Sequence, residues 1–345
     1  GGPGNRRRLI LPVVVMFVSR DEGPAGTPAP FSLRIGLVLL MLGVAAPAVA
    51  QGQVLDPSRA CIIQAGQPVV DAVIAGQPVR LRVDFGAHAP IVLTPAAAAR
   101  LALASDTRPG TDEEPDRGTV VTRVGRKTVR VRWSREMVTV EGVTQPLEVL
   151  TPPDYAPGIG DGSIRPSALP CAVVRLEQRS AGPRDVETVM RVIDDGTFDG
   201  LPVKAMAGRD DIRLEFSPWR ERTVGTAAVG GILVTLLGGS LSGPVTETPI
   251  VYGVTRPARL LKLDRPWLAA GVKVPALMMR LSDWEGDHAV PPDGDLEADL
   301  IQVAKRRNPQ RSFRLMHLGA DVLRDCASFE WRRTGHLLAV RCPAP

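Results

Sequence analysis

Residues 79–84 alternate apolar and polar side chains, Val79-Arg80-Leu81-Arg82-Val83-Asp84, and end on a carboxylate. A period of two reads as a half-buried strand, with Val79, Leu81 and Val83 on the inner face. The strand runs into Phe85-Gly86-Ala87, where two small residues permit a tight turn, and a second apolar stretch, Ile91-Val92-Leu93, follows. Thr94-Pro95-Ala96-Ala97-Ala98-Ala99-Arg100-Leu101 then reads as a short helix, with Thr at the N-cap and Pro at the first helical position.

The pattern returns in the second half. Ile212-Arg213-Leu214-Glu215-Phe216-Ser217 lies over residues 79–84, and Thr226-Ala227-Ala228-Val229-Gly230-Gly231-Ile232-Leu233 lies over the Ala-rich helix, within one residue of register. Ser163-Ile164-Arg165-Pro166-Ser167-Ala168-Leu169-Pro170-Cys171 is echoed by His317-Leu318-Gly319-Ala320-Asp321-Val322-Leu323-Arg324-Asp325-Cys326. Each half therefore reads as strand, turn, small helix, further strands, a late apolar strand, Leu and Cys. The expected domains are residues 1–50 as an N-terminal extension and signal peptide, 51–180 as a first lobe and 181–345 as a second.

These residues resemble the aspartic peptidases, both the retropepsin-like and the bilobal pepsin-like kinds, whose active-site strand ends in Asp-Thr/Ser-Gly-Ala. The resemblance covers roughly residues 60–342 and implies a mostly-β fold of two barrel lobes related by an internal repeat, each offering one Asp to a shared cleft. It makes Asp84 the catalytic carboxylate and Phe85, Gly86 and Ala87 its turn. The mechanism needs two carboxylates that share one proton, one acting on water and the other on the scissile carbonyl. Two departures stand against it. Phe85 replaces the hydroxyl residue, and the second-lobe counterpart of the Asp is Ser217, followed by Pro218. Asp210 and Asp211 precede their strand instead of ending it. Gly319-Ala320-Asp321 matches a later element in which the family's Asp is structural, and Arg165 stands where its Gly would be in the first half.

The expectation is thus a peptide-bond hydrolase using Asp84, or a degenerate relative that binds peptide or envelope material in an inter-lobe cleft without cutting it. Two chains could each supply Asp84, as in retropepsin dimers, although the fused second half disfavours that geometry. A third class is an envelope protein whose lobes serve assembly.

Other motifs carry less. Gly158-Ile159-Gly160-Asp161-Gly162 has neither the Lys nor the following helix of a phosphate loop. Residues 223–245 carry no charge, but their glycines and the match to the first-half helix favour a buried helix over a membrane span. The acidic residues between Asp283 and Asp299 lack calcium-loop spacing and read as a solvated loop. His88, His288, His317 and His336 stand apart in the sequence. No metal and no cofactor is expected.

Aromatics make up 4% of the 345 residues, while 34 Gly and 32 Pro favour short strands and turns. Residues 1–50 hold five Arg against Asp21 and Glu22, so most of the +5 formal charge is N-terminal and about +2 remains beyond residue 50. That remainder, with no basic stripe, argues against a nucleic-acid partner. Phe31-Ser32-Leu33-Arg34, the apolar run Ile35 to Val44 and Ala48-Val49-Ala50 read as a secretory signal cleaved after Ala50. This predicts a periplasmic or secreted protein with no stable membrane span after cleavage. The four Cys fit an oxidising compartment: Cys326 and Cys342 bracket a hairpin and Cys61 and Cys171 remain for each other, although three connectivities exist.

Overall fold

The computed structural model describes residues 59–103, 117–124, 127–193, 200–281 and 314–344. The signal-like residues 1–50, most of the 104–118 loop and the acidic segment lie outside these. The chain is mostly β, and residues 51–345 form one compact unit.

In chain order the first half contains β1 (Ala60–Gln64), β2 (Val69–Ile74), β3 (Gln77–Val83), β4 (Ile91–Leu93), α1 (Pro95–Arg100), β5 (Arg117–Val124), β6 (Lys127–Val140), β7 (Val143–Thr151) and β8 (Gly162–Ile164). After β9 (Val173–Glu177) and β10 (Asp185–Arg191) come β11 (Val203–Ala207), β12 (Asp210–Phe216), β13 (Val224–Gly225) and α2 (Ala227–Leu237). The chain continues through β14 (Ser240–Val251), β15 (Val254–Ala269), β16 (Val272–Arg280), β17 (Leu315–Leu318), α3 (Ala320–Leu323), β18 (Ser328–Arg332) and β19 (Leu337–Pro343). The expected polar loop over 104–118 ends sooner than its composition suggests, because Arg117 and Gly118 already pair with Ser134 and Trp133.

Two seven-stranded sheets repeat one topology. The first runs β2-β3-β8-β4-β7-β6-β5 and the second β11-β12-β17-β13-β16-β15-β14. Substituting each strand by its counterpart converts one order into the other. In the first sheet β2 also pairs with β6, Ala72 opposite Val140, which closes six strands into a barrel. A five-stranded sheet, β1-β9-β18-β19-β10, takes strands from both halves of the chain.

The repeat extends to the caps. Thr94 accepts a hydrogen bond from Ala97 N–H and Thr226 one from Val229 N–H, so both helices start on a threonine hydroxyl. The uncharged run 223–245 is divided among β13, α2 and β14, and α2 packs so closely on β16 that a methyl group on Gly230 would collide with Met279. Among the described residues no helix is long and apolar enough to cross a membrane.

The core joins all three sheets at one aromatic cluster. Phe85 in the turn after β3, Phe216 at the end of β12 and Phe329 in β18 are each at most 1% exposed. Phe329 lies 6.0 Å from Phe85 and 6.1 Å from Phe216, ring centre to ring centre, with tilted planes. Burying each such ring contributes about 1.5–3 kcal/mol, with a further increment for the tilted contacts. Two disulfides complete the frame: Cys61–Cys171 ties β1 to the segment before β9, and Cys326–Cys342 closes the β18–β19 hairpin.

Candidate functional site

The turns after β3 and β12 hang from equivalent hydrogen bonds. Asp84 N–H donates to Ile164 O and Ser217 N–H to Leu318 O, both at 2.9 Å. Parallel pairing of β3 with β8 and of β12 with β17 sets this up, placing Arg82 opposite Ser163 and Glu215 opposite His317. The fold brings the two turns together, with the Ser217 hydroxyl against Gly86, where a Cβ would collide with it. Trp219, two residues beyond Ser217, donates from Nε1 to Val83 O at 3.0 Å and so bridges the two strands' ends.

Asp84 is a restrained carboxylate. Gly86 N–H donates to Oδ1 at 2.9 Å and the Arg82 guanidinium to Oδ2 at 2.9 Å, with both side chains 13% exposed. Arg82 also donates to Pro157 O and lies over the Trp219 ring, 5.4 Å from its centre. The place facing this turn in the other half is Ser217, a hydroxyl. Phe85 points into the aromatic core, so packing against Phe329 holds the turn. Gly86 and Ala87 line the adjoining pocket and Pro218 is buried behind its turn.

The charged group of the second half lies one step deeper. Glu215 Oε2 is 2.9 Å from His317 Nδ1, without the alignment of a hydrogen bond, and both side chains are nearly inaccessible. Burial works against the Glu215 charge, but His317, His88 and Arg220 outweigh it and hold the carboxyl below its ordinary value. Arg220 donates to Pro249 O at 2.6 Å and to Ile250 O at 3.1 Å in β14. The His88 ring, 6.2 Å from that of His317, is pushed down in pKa by burial and by its electrostatic interactions with His317 and Arg220, while Glu215 and Asp84 pull it back. Tyr155 donates to Ser163 Oγ at 2.7 Å, and burial raises its pKa, so it is a neutral hydroxyl.

A pocket of about 1070 Å³ is lined from both halves by residues that include Asp84, His88, Tyr155, Ser217, Trp219 and Tyr252, while Glu215 and His317 are not part of its lining. Its lining mixes the rings of Tyr155, Trp219 and Tyr252 with the charged side chains of Arg82, Asp84 and Arg220. Among the described residues no cluster of His, Cys, Asp and Glu could hold a metal ion.

Asp321 is tied up in the fold, accepting from Thr223 N–H and Thr223 Oγ1 at 2.8 and 2.7 Å. Asp161 likewise ties β3 to α1, accepting from Arg80 N–H and from Arg100. Of the histidines that stand apart in sequence, the fold brings His88 and His317 together, His336 packs on Trp331 at 5.6 Å, and His288 lies outside the described residues. Sequence reading missed Arg82, Trp219, Arg220 and the Glu215–His317 pair as site residues. Arg82 was detectable, because residues two apart on a strand share a face. The Glu215–His317 pair was not, because strand pairing across about a hundred residues creates it. No family model matches the chain, and no curated protein matches it.

Proposed function

We propose that the chain is an exported, aspartic-peptidase-like protein of two lobes that binds an extended peptide or protein segment between them without hydrolysing it. The carrying observation is the state of Asp84: its oxygens are held by Arg82 and Gly86 N–H, and Ser217 stands where a dyad would need its second carboxylate. A dyad works because one carboxyl keeps its proton while the other is ionised. Both Asp84 oxygens are already engaged, by the Arg82 guanidinium and by Gly86 N–H, and a serine neither shares a proton at ordinary pH nor activates water as a carboxylate does. Losing either the acid or the base role costs about 10²–10⁴ in rate. The repeated sheet order and the matched turn hydrogen bonds support the two-lobe reading. The two disulfides support export to a periplasm or beyond.

The test uses the oxidised protein and a fluorescent peptide library, read by anisotropy and by mass at acidic and neutral pH, beside Asp84→Asn. Binding with no new peptide termini is expected. Cleavage that Asp84→Asn abolishes would overturn the non-catalytic reading in favour of hydrolysis by Asp84.

A further inference from the structure

Among the described residues, the end of the β14–β15 hairpin extends past the strands paired with it. Ladder pairing of β15 with β16 ends at Ala258 opposite Arg280, with one further hydrogen bond from Leu281 N–H to Pro257 O, and among the described residues 246–256 run on as two strands. A two-stranded ribbon is marginal without further packing. This one is also weakened internally, with pairing shifts between Ser242 and Thr246 and between Pro249 and Val251, and two prolines that donate no hydrogen bond.

Its support comes from elsewhere. Arg220 holds the carbonyls of Pro249 and Ile250. The Tyr252 ring at the tip meets the His88 ring edge-on at 6.1 Å. Val254 and Tyr252 pack with Val129, Val131 and Leu150 of the first half, and Gly253 abuts Asp154. Residues 242–253 line the pocket nearly throughout, so this tip forms one of its walls.

We propose that His88 is an acid-sensitive latch for this tip: its neutral ring keeps Tyr252 and the β14–β15 hairpin closed over the pocket, and its protonation releases them. Every charged group around the ring bears on the sign. Glu215 from β12 and Asp84 from the turn after β3 favour the cation, while His317 from β17 and Arg220 from the turn after β12 oppose it. Tyr252 from the hairpin is an uncharged contact. Burial, the largest effect, opposes the cation. The ring already has partial exposure to the pocket it lines; lifting Tyr252 off it admits more water and relieves the burial that remains, so protons favour the open form. The closed form is fully favoured above the ordinary histidine pKa of 6.5 and weakens as pH falls from there toward the depressed value. A peptide would then enter or leave more readily in acid, a consequence that rests on the binding reading above.

Hydrogen exchange followed by mass spectrometry tests the latch without any ligand. After correction for intrinsic rates, amides of residues 245–257 should lose protection severalfold between about pH 7.5 and pH 5.5, the interval around ordinary histidine titration. Amides of β12 should not change. His88→Gln should abolish the pH response. A flat wild-type profile overturns the proposal, even if that variant does not fold, and so does an unchanged pH response in His88→Gln. Failure of peptide binding with an intact exchange response would count against the binding reading alone.

Discussion

The Ser217 hydroxyl occupies the space that a side chain on Gly86 would need. The closest approach of the two repeated turns is therefore a serine against a glycine, and substitution on either side is felt on the other. Gly86→Ala should destabilise the protein by about 1–3 kcal/mol, the usual cost of overpacking. Adding Ser217→Gly should recover much of that loss, because it removes the obstructing hydroxymethyl. Urea midpoints of the two single variants and the double variant measure the coupling, and additive losses would show that the turns do not press on each other.

Phe85 explains why introducing an Asp-Thr-Gly triplet should not confer peptidase activity. Its ring is 1% exposed and packs on Phe329. Phe85→Thr recreates the Asp-Thr-Gly triplet but removes a core ring, at a cost of about 3–5 kcal/mol. The expected outcome is a lower thermal midpoint and no gain of peptidase activity.

The Arg82–Asp84 pair predicts an asymmetry. Both side chains are largely withdrawn from water, so Asp84→Ala leaves a guanidinium with its main counter-charge gone. A loss of about 2–4 kcal/mol is expected, and replacing both residues by Arg82→Met with Asp84→Ala should cost less than the single change. Denaturant titration of the three variants checks this. A double variant less stable than Asp84→Ala would mean that Arg82 contributes mainly through Pro157 and Trp219.

Much of the frame was legible in the sequence because its signals are local. Alternation at 79–84 and 212–217 marks β3 and β12, and a threonine before each Ala-containing run marks each helix start. Cys326 and Cys342 flank one hairpin, and their partnership leaves Cys61 and Cys171 for each other. The site was legible only in part. Asp84 and Ser217 could be matched by register, but nothing local to Phe85 marks it as a core ring, since Phe329, its partner, lies in a third sheet. Glu215, His317 and His88 come from three separate segments, and only the parallel register of β12 with β17 and the return of the first turn bring them together.

Glu215 gives a pH prediction with a definite sign. Its folded-state pKa lies below the ordinary 4.5, so its charge stabilises the fold above about pH 4.5, and that contribution is lost as pH falls from there through the depressed value. Unfolding free energy measured between pH 3 and pH 6 should therefore fall with acid more steeply in the wild type than in Glu215→Gln. Parallel curves would mean that Glu215 has the same proton affinity folded and unfolded.

The two disulfides should differ in worth. Cys61–Cys171 spans 110 residues and Cys326–Cys342 spans 16. On the chain-entropy account a cross-link stabilises mainly by restricting the unfolded chain, by about 4–5 kcal/mol for the longer loop and about 3 kcal/mol for the shorter. The longer bridge also fastens β1, which among the described residues pairs with β9 alone at the edge of the five-stranded sheet, so its loss frees native structure as well. Paired Cys→Ala variants, each compared with the wild type by reversible denaturation, should show the larger loss for Cys61 and Cys171. The reverse order would mean that the short hairpin carries native-state packing around Cys326 and Cys342 that loop length ignores.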